Sequence, residues 1–177
     1  IKLNNLSVSS LSCALTAFYI LEQDVNIEIE NSLNKTDLKG RCELIKNRFL
    51  LDVSHNGTSA KYLSSFIERN FEKDREITSI FGVMSDKDVN SIIKPLLGRV
   101  KEWYVTSPNM KRSMDPNQIA KLISSKCSSK VHEVETVREA CLKAHKETKD
   151  GGLILIFGSF YTVAEAFEGI ELLRSVA

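Results

Sequence analysis

The chain has 177 residues, of which 42% are hydrophobic and 27% are charged, a composition typical of one soluble globular core. Its 24 Lys and Arg residues and 23 Asp and Glu residues leave a formal net charge of +1, which gives no electrostatic reason to expect nucleic acid or an anionic membrane as a partner. The longest apolar runs are much shorter than the ~20 residues of a membrane span, and no basic-then-apolar leader opens the chain. A cytoplasmic protein is therefore expected.

The cysteines are scattered, and the chain begins with Ile1 rather than Met. Cys13, Cys42, Cys127 and Cys141 form no C-x-x-C pair, and no histidine lies at metal-ligand spacing from any of them. The sequence therefore indicates reduced thiols rather than a zinc site or a disulfide framework. The missing Met indicates a processed product or a fragment.

The first predicted element is a helix over residues 7–21 that is apolar on most sides. Such a pattern is typical of an internal helix, so we expect more protein to pack around it. Residues 24–39 are polar and rich in Asn, Ser and Asp, which predicts a linker, with room for a short helix inside it. The sequence thus divides into a terminal helix at residues 1–23, a linker at 24–39 and a main domain at 40–177.

The main domain opens with a predicted β-hairpin, formed by residues 42–45 and 48–53 around a tight turn at Lys46 and Asn47. Further strands are predicted at residues 77–82, 102–106, 131–134 and 153–157, and helices at residues 58–70, 86–97, 136–148, 162–173 and from residue 115 onward. Strands and helices therefore alternate. This order predicts a Rossmann-like α/β three-layer sandwich of about six mostly parallel strands, with one antiparallel edge strand and helices on both faces.

Two polar clusters lie near the hairpin, at the ends of elements where open α/β sheets bind ligands. Arg41 follows Gly40 at the end of the linker, and its guanidinium can bind two phosphate oxygens at once. Asp52, His55 and Asn56 follow the second hairpin strand. A carboxylate can accept from two ribose hydroxyls, and an imidazole or amide can stack on or bond to a purine. Each cluster also has a plain structural explanation, as a surface arginine in a turn and as a solvated turn that caps a helix.

A third polar cluster is the strand-to-helix turn at residues 158–162, which contains Ser159 and Tyr161. Its hydroxyls and free amide hydrogens can hold a carboxylate or a phosphate, although a helix cap explains the turn equally well. The chain contains no G-x-x-x-x-G-K-[ST], G-x-G-x-x-G or G-x-S-x-G motif. His132 and His145 are interpreted as structural histidines, and no metal ligand is predicted in the chain.

Four motifs, taken together, resemble one enzyme family. They are residues 38–41, 50–56, 81–88 and 154–163. Their order and approximate spacing are similar to those in the C-terminal domain of the bacterial bifunctional dihydrofolate synthases/folylpolyglutamate synthases, members of the Mur ligase superfamily. The resemblance runs from about Leu6 to the end of the chain. Two departures stand out, because Gly57 replaces a common Pro and Tyr161 stands where bacterial relatives often have His.

The resemblance implies a reaction and a set of site residues. ATP would phosphorylate the carboxylate of dihydropteroate or of a folate polyglutamate, and the amine of L-glutamate would attack the acyl phosphate. Arg41 matches the arginine that reaches the terminal phosphate, and with His55 it is the predicted catalytic residue. Asp52, His55 and Asn56 match residues beside the nucleotide, and Ser159 and Tyr161 lie in the segment associated with the incoming glutamate. A capped helix start adequately explains residues 86–88.

The resemblance also implies that the chain is part of a larger enzyme. A larger N-terminal ATPase domain would carry the P-loop and the Mg²⁺ ligands, and residues 1–23 would be its terminal helix. The expected enzyme is a cytoplasmic monomer, and the isolated chain is expected to be inactive. Two alternatives stay open: a non-catalytic nucleotide-sensing or protein-binding α/β module, and a small hydrolase that uses Asp52 and His55.

Overall fold

A computed structural model describes residues 6–22, 29, 31–32, 36 and 38–175 of the chain. The strands are β1 (Glu43–Ile45), β2 (Phe49–Asp52), β3 (Ile77–Phe81), β4 (Val100–Thr106), β5 (Lys130–Val134) and β6 (Leu153–Phe157). The helices are α1 (Val8–Glu22), α2 (Gly57–Asn70), α3 (Val89–Ile93), α4 (Pro116–Ser124), α5 (Val137–Glu147) and α6 (Phe160–Ser175). Of the predicted linker, residues 24–28, 30, 33–35 and 37 lie outside the described residues.

The six strands form one sheet in the order β1-β2-β6-β3-β4-β5. β1 is antiparallel to β2, and every other neighbouring pair is parallel, which confirms the predicted α/β fold. In the register of the central strands, Asp52 lies beside Phe157, and Phe157 lies beside Phe81. The carboxyl ends of β2, β6 and β3 therefore finish level with one another, and the loops that follow them share one edge of the sheet.

The hairpin turn has the geometry that the sequence predicts. Lys46 and Asn47 have φ values of 51° and 50°, so both central residues are in the left-handed region. This conformation gives a type I′ turn, whose twist matches that of the flanking strands. The turn connects β1 to β2 directly and so fixes the end of β2, where Asp52 lies.

The core consists of two hydrophobic clusters, one on each face of the sheet. Helices α2, α3 and α4 cover one face, and α5 and α6 cover the other. Alternate residues of β6 enter the two clusters, with Leu155 on the first face and Ile154 and Ile156 on the second. Because β6 has a strand on each side and a helix layer on each face, all five of its residues are buried.

Helix α3 is shorter than the predicted helix over residues 86–97. It begins after Asp88, whose side chain accepts a hydrogen bond from the Ser91 amide at 3.3 Å. Pro95 has no amide hydrogen to donate back into the helix, so the regular pattern ends at Ile93. Asp86 lies outside the helix and pairs with Lys87 at 2.6 Å.

Helix α1 is apolar but largely exposed. Leu11 is buried, whereas Tyr19, Ile20 and Leu21 are 59%, 68% and 79% exposed. The helix is therefore confirmed, while the assignment of residues 1–23, 24–39 and 40–177 to separate units stays a prediction. In the described part of the chain, no helix combines the length and the apolarity that crossing a membrane requires.

Candidate active site

Gly40 and Arg41 lie against the end of β2. Gly40 has a φ of +68°, and a side chain there would meet Val163 at 3.0 Å and Val53 at 3.1 Å. Its carbonyl accepts from the Val53 amide at 2.8 Å, and its own amide donates to Glu43 at 2.8 Å. These bonds fix the turn that presents Arg41 at the carboxyl edge of the sheet.

Asp52 is only 4% exposed, and both of its carboxylate oxygens accept hydrogen bonds from nearby residues. Oδ2 accepts from the Cys42 amide at 2.8 Å and from the Cys42 thiol at 3.3 Å. Oδ1 accepts from the Ser54 amide at 2.8 Å and from the Ser54 hydroxyl. Burial and the adjacent carboxylate raise the pKa of the Cys42 thiol, which keeps it protonated as a donor. Asp52 therefore holds the loop beside Arg41 together.

His55 and Asn56 each use one polar atom to fix the local structure and leave another available. The Nδ1 atom of His55 lies 2.9 Å from the Val53 carbonyl oxygen, which can only accept, so Nδ1 carries the proton in the neutral ring and Nε2 is an acceptor. The Oδ1 atom of Asn56 accepts from the Ser59 amide at 2.9 Å and caps α2. No described residue accepts a hydrogen bond from the Asn56 amide nitrogen.

Phe160 contacts both Arg41 and His55 and was not predicted as a site residue. The Arg41 guanidinium carbon is 5.6 Å from the centre of the Phe160 ring, and the His55 ring centre is 5.7 Å from it. The ring is 55% exposed at the first position of α6. A cation over an aromatic face is attracted by the ring quadrupole, so Phe160 orients the guanidinium toward the carboxyl edge of the sheet.

Two cavities open at this edge. The larger, called here the Asp52 cavity, has a volume of about 610 Å³ and is lined by Arg41, Asp52, Asn56 and the beginning of α1, among others. The smaller, called here the Ser159 cavity, has a volume of about 130 Å³ and is lined by eight residues: His55, Met84, Lys87, Arg112, Gly158, Ser159, Phe160 and Tyr161. The structure thus brings all six residues singled out from the sequence to the walls of two cavities on one edge of the sheet.

Ser159 lies in the wall of the Ser159 cavity, but its hydroxyl serves the fold. Ser159 Oγ accepts from the Thr162 amide at 3.0 Å and lies 2.8 Å from the Thr162 hydroxyl, which donates to the Gly82 carbonyl at 2.7 Å. Gly158 has a φ of +114°, and a side chain there would clash with the Gly82 carbonyl oxygen. These contacts hold the start of α6 against the end of β3.

Lys87 and Arg112 supply the positive charge of the Ser159 cavity and were not predicted as site residues. They come from the loops after β3 and β4, which are joined by backbone bonds from Ser85 to Arg112 at 2.9 Å and from Met114 to Val83 at 2.9 Å. The order β6-β3-β4 places both loops beside His55 and Ser159. The sequence offers no spacing motif that would identify this pair.

The geometry does not support the alternative of a small hydrolase. The Asp52 carboxylate bonds to Cys42 and Ser54, whereas His55 bonds to the Val53 carbonyl. No hydrogen bond joins Asp52 to His55 among the described residues, so the orienting contact of a nucleophile–base–acid arrangement is missing. The Arg41 cation and the open amide hydrogens of α6 instead suit phosphate and carboxylate groups.

The model of the Mur ligase, glutamate ligase domain, matches residues 40–160 of the chain. The chain belongs to this family. A dihydrofolate synthase/folylpolyglutamate synthase from Buchnera aphidicola subsp. Schizaphis graminum is 32% identical over 173 residues, which cover 93% of this Mur ligase chain and 40% of the relative. The chain therefore spans about two fifths of the length of the curated relatives that it matches.

Two solved structures show the same fold. Escherichia coli FolC in complex with DHPP and ADP aligns with a TM-score of 0.80 and 25% identity, covering 91% of this chain and 38% of that one. A bifunctional folylpolyglutamate synthase/dihydrofolate synthase with Mn, AMPPNP and L-glutamate bound aligns with a TM-score of 0.77 and 25% identity, covering 89% and 38%. Both similarities confirm the resemblance that the four sequence motifs indicate.

Proposed function

We propose that this chain supplies the glutamate ligase half of an ATP-dependent enzyme, which adds L-glutamate to dihydropteroate or to folylpolyglutamates through an acyl phosphate. Membership of the Mur ligase family and the names of its relatives support this reaction. The observation that carries the proposal is the contact of both Arg41 and His55 with the Phe160 ring, at the edge where two cavities open. One cavity suits a nucleotide, and the other suits an amino acid with negative charge.

The Asp52 cavity is the proposed nucleotide site. Arg41 would bind the terminal phosphate of ATP and stabilise the charge that develops as the phosphoryl group leaves. The free amide nitrogen of Asn56 can donate to a ring nitrogen of the purine. The ribose hydroxyls would reach Asp52 by displacing the Ser54 hydroxyl and the Cys42 thiol, which can rotate away, while the two amide donors stay in place.

The Ser159 cavity is the proposed site of the incoming glutamate. L-Glutamate carries two carboxylates, and Lys87 and Arg112 provide two cations on the cavity wall. The phenol of Tyr161, which is 39% exposed at the same wall, can donate a further hydrogen bond. The first amide hydrogens of α6 add positive potential, because the Ser159 hydroxyl satisfies only the Thr162 amide.

His55 is the proposed proton acceptor for the ligation step. The glutamate amine would form a bond to the acyl carbon, the bond from that carbon to the phosphate oxygen would break, and the departing group would be inorganic phosphate. The ammonium proton would pass to Nε2 of His55, since Nδ1 already donates to the Val53 carbonyl. The tilted ring contact with Phe160 and the bond to the Val53 carbonyl hold the imidazole in position for this transfer.

The Mg²⁺ ion that accompanies ATP does not fit a ligand set in this cavity. Asp52 is the only carboxylate among the described residues that line it, and its oxygens already accept four hydrogen bonds. Mg²⁺ prefers oxygen ligands in octahedral geometry, and its protein ligands are usually carboxylates. The proposal therefore places the metal ligands in the N-terminal ATPase part, and no step is assigned to the ion here.

The exposed side of α1 fits the same division of labour. Tyr19, Ile20 and Leu21 present apolar area that the rest of the described chain leaves uncovered, and an ATPase domain in the same polypeptide would cover it. Residues 1–23 would then be the last helix of that domain, and residues 40–177 the C-terminal domain. One polypeptide would hold both halves of the site, so a monomer suffices, and the use of ATP places the reaction in the cytoplasm.

The experiment that tests the proposal compares the isolated chain with the longer polypeptide that the proposal requires. Each is incubated with ATP, Mg²⁺, dihydropteroate and radiolabelled L-glutamate, and the labelled product and phosphate are measured. The longer polypeptide is expected to turn over, and the isolated chain is expected to be inactive because it has no P-loop. Turnover by the isolated chain would contradict the proposal, and ATP binding without turnover by the longer polypeptide would favour a nucleotide-sensing module instead.

A further inference from the structure

A second group of ligand-type side chains lies away from the two cavities. Glu102 comes from β4, His132 from β5, and Glu147 from the last position of α5. One carboxylate oxygen of each glutamate and one ring nitrogen of the histidine all lie within 4.8 Å of one another. The Nε2 atom of His132 is 2.7 Å from Oε1 of Glu102. Three separate elements thus meet at one point on the sheet face that α5 covers.

Tyr104 holds two of these three side chains in place. Its ring stacks on the His132 imidazole, with centres 4.7 Å apart and planes 14° apart. Its hydroxyl donates to Oε2 of Glu147 at 2.6 Å. Tyr104 is 1% exposed and therefore rigidly packed. Groups that orient a ligand from behind in this way are typical of protein metal sites.

The charge at this point favours a cation. The two carboxylates face one imidazole, and in the described part of the chain no lysine or arginine pairs with either glutamate. A cation placed between the carboxylates would relieve this excess of negative charge.

We propose that Glu102, His132 and Glu147 bind one divalent transition-metal ion, with Zn²⁺ as the representative ion. Zinc accepts imidazole nitrogen and carboxylate oxygen at about 2.0–2.2 Å. Zinc binding would draw the exposed Glu147 carboxylate toward the other two ligands while Tyr104 keeps its hydrogen bond to Oε2, and water would complete the coordination where His132 is partly exposed. A mixed nitrogen and oxygen set favours a first-row transition metal over Mg²⁺, which prefers oxygen alone.

The metal would serve the structure rather than the ligase reaction. The proposed metal site is distant from the two cavities. β4 is three strand positions from β2, which is roughly 14 Å across the sheet. Glu102 also lies three residues before Val105, which pairs with Phe81 at the carboxyl edge. The ion would join edge strand β5 to β4 and to the end of α5. The ligands are far apart in the chain, so no motif could have revealed them, and the sequence analysis interpreted His132 as structural.

Zinc titration of the full 177-residue chain, monitored by calorimetry, tests the proposal. Cys13 and Cys127 are replaced by Ser, because partly exposed thiols also bind zinc. One equivalent is expected to bind, and His132→Gln, Glu102→Gln and Glu147→Gln are each expected to lower the affinity about tenfold or more. Glu133→Gln is the matched control, since it removes a neighbouring exposed carboxylate on the other face of β5 and is expected to leave the affinity unchanged.

Tyr104→Phe separates a positioning role from ligation. The variant removes only the hydroxyl that holds Glu147, so zinc affinity is expected to fall less than in the Glu147→Gln variant. A second measurement needs no variant at the site and follows the ring ¹⁵N resonances of the three histidines by NMR. Zn²⁺ is expected to shift the resonance of His132 Nε2 and to leave those of His55 and His145 unshifted.

Three results would overturn the proposal. They are an unshifted His132 resonance at saturating Zn²⁺, zinc affinity that is the same in all three Gln variants, and binding of Mg²⁺ as tightly as Zn²⁺.

Discussion

The arginines at the two ends of the sheet differ in what they bind. At the amino ends of the strands, Arg48, Arg75 and Arg99 donate hydrogen bonds to main-chain carbonyl oxygens of neighbouring loops. At the carboxyl ends, Arg41 and Arg112 donate to no described residue. Arg48 alone reaches the carbonyls of residues 145, 148 and 149, at 2.8 to 3.1 Å. Arg75 and Arg99 do the same for residues 47, 72 and 73. Arginine side chains therefore stabilise the fold at one end of the sheet, and at the other end they stay available to a ligand.

This difference separates folding residues from ligand-binding residues without any appeal to sequence motifs. A guanidinium whose hydrogens are used by carbonyls is expected to affect stability when it is removed, because it leaves those acceptors without partners. A guanidinium that only rests on an aromatic ring, as Arg41 does on Phe160, is expected to affect turnover. Substitutions at each end of the sheet test this difference.

The largest effect is expected from Arg41→Ala in the complete ligase. On the proposed function, Arg41 lies beside the transferred phosphate, so its loss should lower kcat about 10²–10³-fold, since a single preorganised donor at a developing charge contributes this much. Steady-state incorporation of labelled glutamate measures the change. Arg112→Ala is the matched variant and should mainly raise the KM for glutamate. Equal effects of both variants on KM alone would remove the distinction between the two cavities.

Asp52→Ala should affect both stability and nucleotide binding, because Asp52 holds the loop and also lines the cavity. The variant leaves the amides of Cys42 and Ser54 without their acceptor, at an expected cost of about 2–4 kcal/mol in the free energy of unfolding. Urea unfolding of the chain and ATP binding to the complete ligase measure the two effects. Asp88→Ala, which removes only the cap of α3, should cost about 1 kcal/mol and leave ATP affinity unchanged.

Arg48→Ala should destabilise the fold and spare the chemistry. Three carbonyl oxygens at the end of α5 lose their donor, so we expect a loss of about 2–3 kcal/mol in urea unfolding. Arg138→Ala removes an exposed arginine of α5 and should change stability by less than about 0.5 kcal/mol. A folded Arg48→Ala ligase with greatly reduced kcat would contradict the assignment of Arg48 to stability alone.

A small pH effect is expected from His145, which lies beside Arg48. Burial first, and then the positive charges of Arg48 and Lys46, lower the pKa of this histidine. The unfolded chain therefore binds a proton at about pH 6.5 that the folded chain does not, so stability falls as the pH drops below about 6.5. His145→Gln should show less loss than the parent between about pH 7.5 and about pH 5.5 in urea unfolding. An identical loss in both proteins would contradict this assignment.

The sequence was sufficient to predict the helices and strands whose pattern of apolar residues matches the way they are buried in the folded chain. Strand β6 was predicted because its residues are apolar on both faces, and it is central and buried in the sheet. The turn at Lys46 and Asn47 and the Thr136 cap of α5 follow from local backbone chemistry. Local pattern failed for α3, because the apolar spacing continues past Pro95 while the regular helix ends at Ile93.

The candidate site was predicted in part. The resemblance led to Arg41 and Asp52, and the register of the sheet does bring them to one cavity. Phe160 and Arg112 were missed, because their contribution depends on the strand order β2-β6-β3-β4, which places distant loops side by side. The bond from the Cys42 amide to Asp52 and the bond from the Thr162 hydroxyl to Gly82 were also missed, since these partners, 10 and 80 residues apart, become neighbours only in the folded chain.

The claim that Arg41 faces the transferred phosphate is tested most directly by single-turnover formation of ADP in the complete Arg41→Ala ligase, with the dissociation constant of ATP measured in parallel. The account predicts that the rate of the chemical step falls about 10²-fold or more while the dissociation constant changes by less than about tenfold. A chemical step that keeps its rate, with ATP bound more weakly, would contradict it.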